Sequence, residues 1–506
     1  MCLCLIIGCC IVTRIKWYWL DEIATVLNVA NLSFSEMWSL LQDQFNLNPP
    51  VYFVVMWGWA KLFGHSEISF RLFSALCVAG GFWFTFRALL RSAGYWPALL
   101  GSGLAFGLAP IVLFHLAEAR CYALCLFLGA LLLWQYERFT RTEKPGWGAL
   151  ALNAGLHAAL VMTHYVCFFY SGIFLVAGLW EDWRGKRLRW GVAGSVIAGW
   201  LIFIPWIPTF RWHSQMAQDG FWTSKPALDD LLQIWYAADI LIPVVPVVFG
   251  ALLIMRGLPK DEKRSVPDVL ENFGALERLA LGLVIFAPLL IYLYSQIRSP
   301  IFIARYLVVT SLGWAILFTW GLKHIWGRRA TEPERMPGRP LLLATLLALL
   351  LLTTPAWYAK RLFAESGFRR ASESKKKPGL DVEDLYPDLA IACDDMHSLQ
   401  RWYYARKNDA DPTRYVFICD DDSAFSKDPS AFDKDGHPYS ATANHFYSAA
   451  RRHLPQVPIM NWEEFAAKNP RFLVNPGGAL FKVRLSKDPH YKIKYAGPLM
   501  LVEPAS

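Results

Sequence analysis

Apolar runs of about 17–22 residues recur through the first 360 positions of this chain, and no other feature restricts its fold as strongly. A helix rises 1.5 Å per residue, so such a run spans the roughly 30 Å hydrocarbon core of a bilayer. Inside a bilayer each backbone N–H and C=O must be paired within the protein, so these runs are expected to be helices. Spans are expected near 1–16, 69–90, 96–115, 121–137, 147–163, 165–181, 190–208, 237–256, 277–295, 302–322 and 340–358. Only 18% of the residues are charged, against about 25% in soluble domains. The predicted fold class is a polytopic α-helical membrane protein of about 11 spans. Interfacial helices lie in its first outer loop, and a small C-terminal α/β extracytoplasmic domain follows. The expected domains are 1–360 (transmembrane), 361–379 (linker) and 380–506 (α/β).

The net charge is +9, but its placement says more than its size. Basic residues cluster in short loops, the pattern of cytoplasmic loops rather than of a nucleic-acid site. Arg87 and Arg91 follow one span, Arg138, Arg141 and Lys144 another, and Arg184, Lys186, Arg187 and Arg189 a third. All the basic clusters fall on one side only if the apolar run 50–63 does not cross. That run is also too short to span, and Pro49-Pro50 suits a helix start. It is read as interfacial or re-entrant. Asp21-Glu22, Glu118-Ala119-Arg120, Thr163-His164-Tyr165, the stretch Arg298 to Arg305 and the tail then share the outer face. No cleavable signal is evident. The first apolar run, Met1 to Val12, is short for a span and reads as the shortened end of a longer helix or a displaced start.

The tail changes character. Strand-like runs occur at Leu389 to Cys393, Tyr415 to Cys419 and Arg471 to Val474, with a helix-like stretch from Met396 to Lys407. Strand–helix–strand order predicts a parallel sheet. No glycine-rich phosphate loop accompanies it, so no nucleotide site is inferred. Cys393 and Cys419 end two such strands, as a disulfide or as two buried thiols. The other eight cysteines lie in or beside apolar runs and read as small hydrophobes.

The first outer loop carries the densest set of signals. Asp21-Glu22 follows Trp17-Tyr18-Trp19, aromatics suited to a membrane surface. Carboxylates at the end of a membrane helix are costly to desolvate and mark a functional site, or else cap a helix meeting water. Then come Asn48-Pro49-Pro50-Val51-Tyr52-Phe53 and Phe63-Gly64-His65-Ser66-Glu67, with Arg71-Leu72 and Ser74-Ala75 beyond. In this order, together with Ala117-Glu118-Ala119-Arg120, Thr163-His164-Tyr165, Pro205-Trp206-Ile207-Pro208, Gly220-Phe221-Trp222 and Ala304-Arg305-Tyr306-Leu307, the residues resemble membrane glycosyltransferases of the GT-C class. The nearest likeness is to bacterial members of the dolichyl-phosphate-mannose–protein mannosyltransferase superfamily, over about residues 15–322.

The resemblance implies transfer of a sugar from a polyprenyl-phosphate carrier, with inversion, to a glycan, lipid or protein acceptor outside the cytoplasm. The enzyme would lie in the inner (plasma) membrane. Departure of a lipid phosphate concentrates negative charge, for which a planar, permanent guanidinium is the natural partner. The acceptor hydroxyl must lose a proton, which calls for a carboxylate base. The family motif puts the base at Asp21, with Glu22 supporting it or orienting the acceptor. Arg305 and Tyr306, with Arg120, are expected to bind the donor phosphate; the alternatives are an interfacial anchor pair and a structural Glu118–Arg120 contact. Asn48, Glu118, His164 and Tyr165 are expected to line the cavity, although a histidine at a helix turn is often simply hydrogen-bonded there. Glu67 and Arg71, four residues apart, read as a surface ion pair, and Trp206 and Trp222 as aromatic-belt residues. Many relatives carry His or Glu-Lys before the Pro-Pro, where this chain has Leu47-Asn48. Asparagine supplies neither charge nor a strong metal ligand, which counts against a carrier-phosphate or divalent-ion contact at that position. Asp21 and Glu22 could hold a hard cation through oxygen, but two acids without further ligands make a weak site, so no metal and no cofactor is expected, with a divalent cation as the alternative. The rival functions are a transporter or glycolipid flippase, and a relative that binds glycolipid without turnover. No paired broken helices in two matched halves point to a transporter site.

Overall fold

The structure is a computed structural model. It describes residues 1–14, 16–43, 45–220, 225–232, 273–327, 386–394, 398–407, 411–419, 441–475, 480, 485–496 and 499–505. The expected spans 237–256 and 340–358, the linker 361–379 and Trp222 lie outside the described residues.

The chain divides into two compact units. One comprises Met1–Arg14, Ile68–Ile207 and Lys225–Phe363. The other comprises Ile15–Glu67, Pro208–Ser224 and Ala364–Ser506, so the first loop groups with the tail.

The first unit is helical. It holds α1 (Cys2–Thr13), nearly all of α5 (Glu67–Ala93), α6 (Tyr95–Gly107), α7 (Pro110–Leu116), α8 (Tyr122–Arg141), α9 (Trp147–Val161), α10 (Cys167–Arg184) and α11 (Trp190–Leu201). Its described residues also include a helical run over 275–297 and the helix Thr310–Gly327. Among the described residues three helices are long and apolar enough to cross a bilayer: Glu67–Ala93, Trp190–Gln215 and Ala275–Ile297. There are four when α6 and α7 are taken as one broken span.

That break departs from the expected continuous span 96–115. The chain bends by 70° between α6 and α7. Pro110 opens α7, and its missing N–H and its ring deny the preceding residues a continuous helix. The run 275–297 meets its own proline differently. It takes five residues of π-helix at Gly282–Phe286 just before Pro288, a local widening that helices use at such points.

Small residues set the closest helix approaches, as membrane packing favours. A Cβ on Gly101 of α6 would lie 2.8 Å from Thr319 Cα, and one on Gly199 of α11 would lie 2.5 Å from the Ala154 carbonyl oxygen of α9. Polar bonds pin the same helices. Asn153 donates to Ser195 (2.9 Å), Trp200 donates to Ser171 (2.7 Å), and His157 pairs with that Ser171 hydroxyl (2.7 Å). At the ends of α8 and α10 that carry the basic loops, charges close on one another. Arg189 meets Asp182 at 2.5 Å, and Arg278 meets Glu181 at 2.5 and 2.8 Å. Tyr136 also donates there, to the Ala275 carbonyl.

The second unit contains α2 (Leu20–Val29), α3 (Phe34–Gln42) and α4 (Val51–Phe63). The 50–63 run is thus a helix of 13 residues, about 20 Å long. The tail forms a six-stranded sheet in the order β3-β2-β1-β4-β6-β5. Its strands are β1 (Ile391–Cys393), β2 (Tyr415–Ile418), β3 (Ile459–Met460), β4 (Phe472–Val474), β5 (Tyr491–Ala496) and β6 (Leu499–Pro504). The first four in chain order are parallel, and β6 runs antiparallel to β4 and β5. The helix Ser398–Lys407 links β1 to β2, the strand–helix–strand unit that the sequence pattern outlined. Cys393 and Cys419 are buried free thiols. The first loop is tied to the tail by Asp43 after α3, which accepts two hydrogen bonds from Arg452 (2.9 and 2.8 Å) and one from His453 (3.0 Å).

Candidate functional site

In the first unit the chemistry-bearing residues lie at the helix ends opposite the basic loops. α7 ends at Leu116, and a tight turn (Arg120 N–H to Glu118 C=O, 2.9 Å) leads to α8, which opens with Tyr122. The turn is held from α5, where Ser74 donates to the Glu118 carbonyl at 2.6 Å. The Glu118 carboxylate and the His115 ring form a close, fully buried pair. The next turn, between α9 and α10, supplies His164, whose Nδ1 accepts the Val166 N–H at 3.2 Å. That bond leaves the proton on Nε2. A third turn, Ala304–Leu307, carries Arg305 and Tyr306 just before the helix Thr310–Gly327. Tyr170 donates to the Tyr306 carbonyl at 2.7 Å and fixes this turn to α10.

Aromatic rings bind the three turns together. His164 lies 4.6 Å from Tyr306 and 5.7 Å from Tyr122, and His115 lies 4.5 Å from Tyr122. Burial, together with the positive charges of Arg120 and Arg305, pushes the His164 imidazole down to about 3. It is therefore a neutral donor near two guanidiniums. Two planar cations, a neutral imidazole and tyrosine walls are groups that suit an oxyanion such as a phosphate. Arg120, Glu118, His164, Arg305 and Tyr306 are brought together. Tyr165 is adjacent, but its hydroxyl accepts from Trp206 Nε1 at 2.9 Å.

In the second unit Asp21 and Glu22 occupy the first turn of α2. Their side chains differ in setting. Glu22 is fully buried and its Oε2 accepts the Trp19 N–H at 3.1 Å, an N-terminal cap. Asp21 is half-buried, and its backbone carbonyl accepts the Thr25 hydroxyl at 3.0 Å. Asn48 is buried, and its N–H donates to the Asn46 carbonyl at 2.9 Å. Asn46 in turn donates to Asn28 of α2 at 3.3 Å. The Asn48 turn is thus joined to the helix that carries the acid pair.

Two expectations need correction. Arg71 is not on a helix surface. It is fully buried, on the α5 face with Phe70, Ser74, Ala75 and Val78, where residues one and two turns apart align. Trp206 is buried and hydrogen-bonded to Tyr165 rather than lying in an exposed belt. Residues to which the sequence reading gave no role also enter: His115, Tyr122 and Tyr170. His115 was legible as the partner of Glu118 at a spacing of three; the other two look like ordinary span aromatics. Among the described residues no group of three or more His, Cys, Asp or Glu side chains is arranged to hold a metal ion.

Residues 47–209 match the family model described as dolichyl-phosphate-mannose-protein mannosyltransferase. No curated protein sequence matches the chain. Among solved structures, ArnT from Cupriavidus metallidurans in the apo state superimposes with a TM-score of 0.60 at 14% identity, over 98% of this chain and 95% of that one. ArnT bound to undecaprenyl phosphate superimposes with a TM-score of 0.55 at 14% identity, over 99% and 96%. Residues 47–209 thus carry the pattern of the mannosyltransferase family that the loop motifs resemble, and the chain as a whole has the fold of ArnT.

Proposed function

We propose that this protein transfers a sugar, of the mannosyl or other hexosyl type, from a polyprenyl-phosphate donor to a hydroxyl acceptor on the outer face of the inner membrane. The acceptor is a glycan, lipid or protein. The observation that carries the reading is the gathering of Arg120 and Arg305 near the buried, neutral His164. The undecaprenyl phosphate bound by the fold neighbour supports a carrier of that class. The outer-face assignment rests on the basic loops, which occupy the opposite helix ends.

The acceptor oxygen attacks the anomeric carbon from the face opposite the phosphate. The bond from that carbon to the phosphate oxygen breaks, its electron pair stays with the polyprenyl phosphate, and the configuration inverts. Asp21 takes the acceptor proton. Arg305 and Arg120 hold the charge that grows on the leaving phosphate, and Tyr306 binds the same group. One such pre-placed donor is worth about 3–4 kcal/mol. Glu118 orients His115 and Tyr165 lines the donor side in the first unit; in the second, Asn48 steadies the turn joined to α2 and Glu22 shapes the helix start beside the base. The reaction needs no divalent cation and no cofactor.

The test is sugar transfer by purified protein in nanodiscs from a polyprenyl-phosphate hexose, with and without chelator. Asp21→Asn and Arg305→Ala are each expected to lower kcat at least a hundredfold. Turnover within a few-fold of wild type in both variants overturns the assignment. Flux of the glycolipid across proteoliposomes, with no transfer, selects the flippase reading.

A further inference from the structure

The base loop is held from outside its own helix. Tyr18 precedes Asp21 by three residues, and its side chain is fully buried. Both of its backbone polar groups are bonded to the tail helix Ser398–Lys407. Its N–H donates to the Tyr404 hydroxyl at 2.6 Å, and its carbonyl accepts from Gln400 Nε2 at 2.6 Å. The Tyr404 hydroxyl then donates to the Glu67 carboxylate, at the far end of the first loop. Trp17 stacks on the Tyr404 ring at 4.6 Å and 25°. Tyr403 meets the Tyr18 ring edge-on at 6.2 Å. One turn of the tail helix thus grips the strap just before α2, and the Tyr404 hydroxyl joins the two ends of the first loop.

We infer that Tyr404 and Gln400 are positioning residues for the reaction: the tail helix sets where Asp21 stands by clamping the backbone of Tyr18. This rests on the proposed role of Asp21 as the base. A loop alone would be a poor platform for a group that must meet a hydroxyl within hydrogen-bond reach. Tyr18 lies outside the helical bonding of α2, which begins at Leu20. A buried backbone N–H and C=O need partners, and here a segment almost 400 residues away in sequence supplies both.

The test uses the full-length protein in nanodiscs with a polyprenyl-phosphate hexose donor. Tyr404→Phe keeps the ring against Trp17 and removes only the hydroxyl. It is expected to lower kcat about tenfold, equivalent to about 1.4 kcal/mol, and to leave the donor KM within twofold. Gln400→Leu, which removes the other bond, is expected to act in the same direction and stands in if the first variant fails to fold. Combined with Asp21→Asn, Tyr404→Phe is expected to add no further loss, because there is no base left to position. A second tenfold loss in the double variant shows a general structural effect and overturns the inference. So does a Tyr404→Phe rate within twofold of wild type while Asp21→Asn is impaired. Full activity of Asp21→Asn itself refutes the function reading, not the clamp alone.

Discussion

Replacing Gly101 by alanine tests whether the packing of α6 positions the turn proposed to bind the donor phosphate. The added Cβ would stand 2.2 Å from Thr319 Oγ1, 2.6 Å from its backbone nitrogen and 2.8 Å from its Cα. The hydroxyl can rotate away, but the backbone atoms cannot. Restoring a carbon–carbon separation of about 3.5 Å requires the helices to part by about 0.7 Å. A gap of that size forfeits a quarter to a half of each neighbouring dispersion contact, and overpacking of this kind costs about 1–3 kcal/mol. The displaced helix, Thr310–Gly327, begins three residues after the Ala304–Leu307 turn, so Arg305 and Tyr306 are expected to shift against His164. The assay is thermal unfolding in detergent alongside donor KM, with Gly155→Ala as control because a Cβ there meets nothing within 4 Å. Gly101→Ala should melt earlier and bind donor more weakly, and Gly155→Ala should do neither. Equal melting of the two variants refutes the argument that close backbone approach at Gly101 holds this helix pair.

Asp182→Ala leaves the Arg189 guanidinium, which is only 8% exposed, with the Phe139 and Thr142 carbonyls but no carboxylate; breaking a buried pair from one side costs about 3–5 kcal/mol, and Asp182→Ala with Arg189→Met should melt nearer to wild type than Asp182→Ala alone. His164 has a folded pKa of about 3 against an ordinary 6.5, so the unfolded chain binds the extra proton between those values. Stability is full above about pH 6.5 and falls as pH drops toward 3, by at most about 1.4 kcal/mol per unit from this group. His164→Gln should flatten that part of the unfolding-versus-pH curve. Glu22→Gln can still accept the Trp19 N–H and should keep melting and turnover close to wild type, whereas Glu22→Ala loses a cap worth about 1 kcal/mol.

The helical class and the gathering of polar turns were legible because both follow from short-range rules. Apolar runs must be helices in a bilayer, and basic loops fix which ends face which side. Pro110 was visible, yet the 70° break it opens was not read, since hydropathy alone sees one continuous run from 96 to 115. Arg71 was misread because a spacing of four from Glu67 says that two residues share a face, not whether that face is buried. Tyr404 and Gln400 gave no signal at all. Their contacts with Tyr18 span more than 380 positions, and no periodicity encodes a pairing between a tail helix and the first loop.

Arginine serves the two ends of α8 and α10 in different surroundings. At the basic-loop end, Arg189 faces Asp182 and Arg278 faces Glu181. Each of these two cations meets a carboxylate of the protein, and the product is a neutral clasp that fixes helix ends. At the other end, Arg120 and Arg305 stand near an imidazole that burial, reinforced by those two charges, keeps unprotonated. Burial is the larger cause and disfavours charge of either sign; the smaller share, from the two guanidiniums, favours a negative group in the same place. An oxygen-rich anion held there meets permanent guanidinium donors, a fixed Nε2–H and tyrosine walls, with no proton exchange needed to receive it. The same helices therefore use arginine–carboxylate pairs for cohesion at one end, and at the other adjoin the guanidiniums to which the proposed function assigns the donor phosphate.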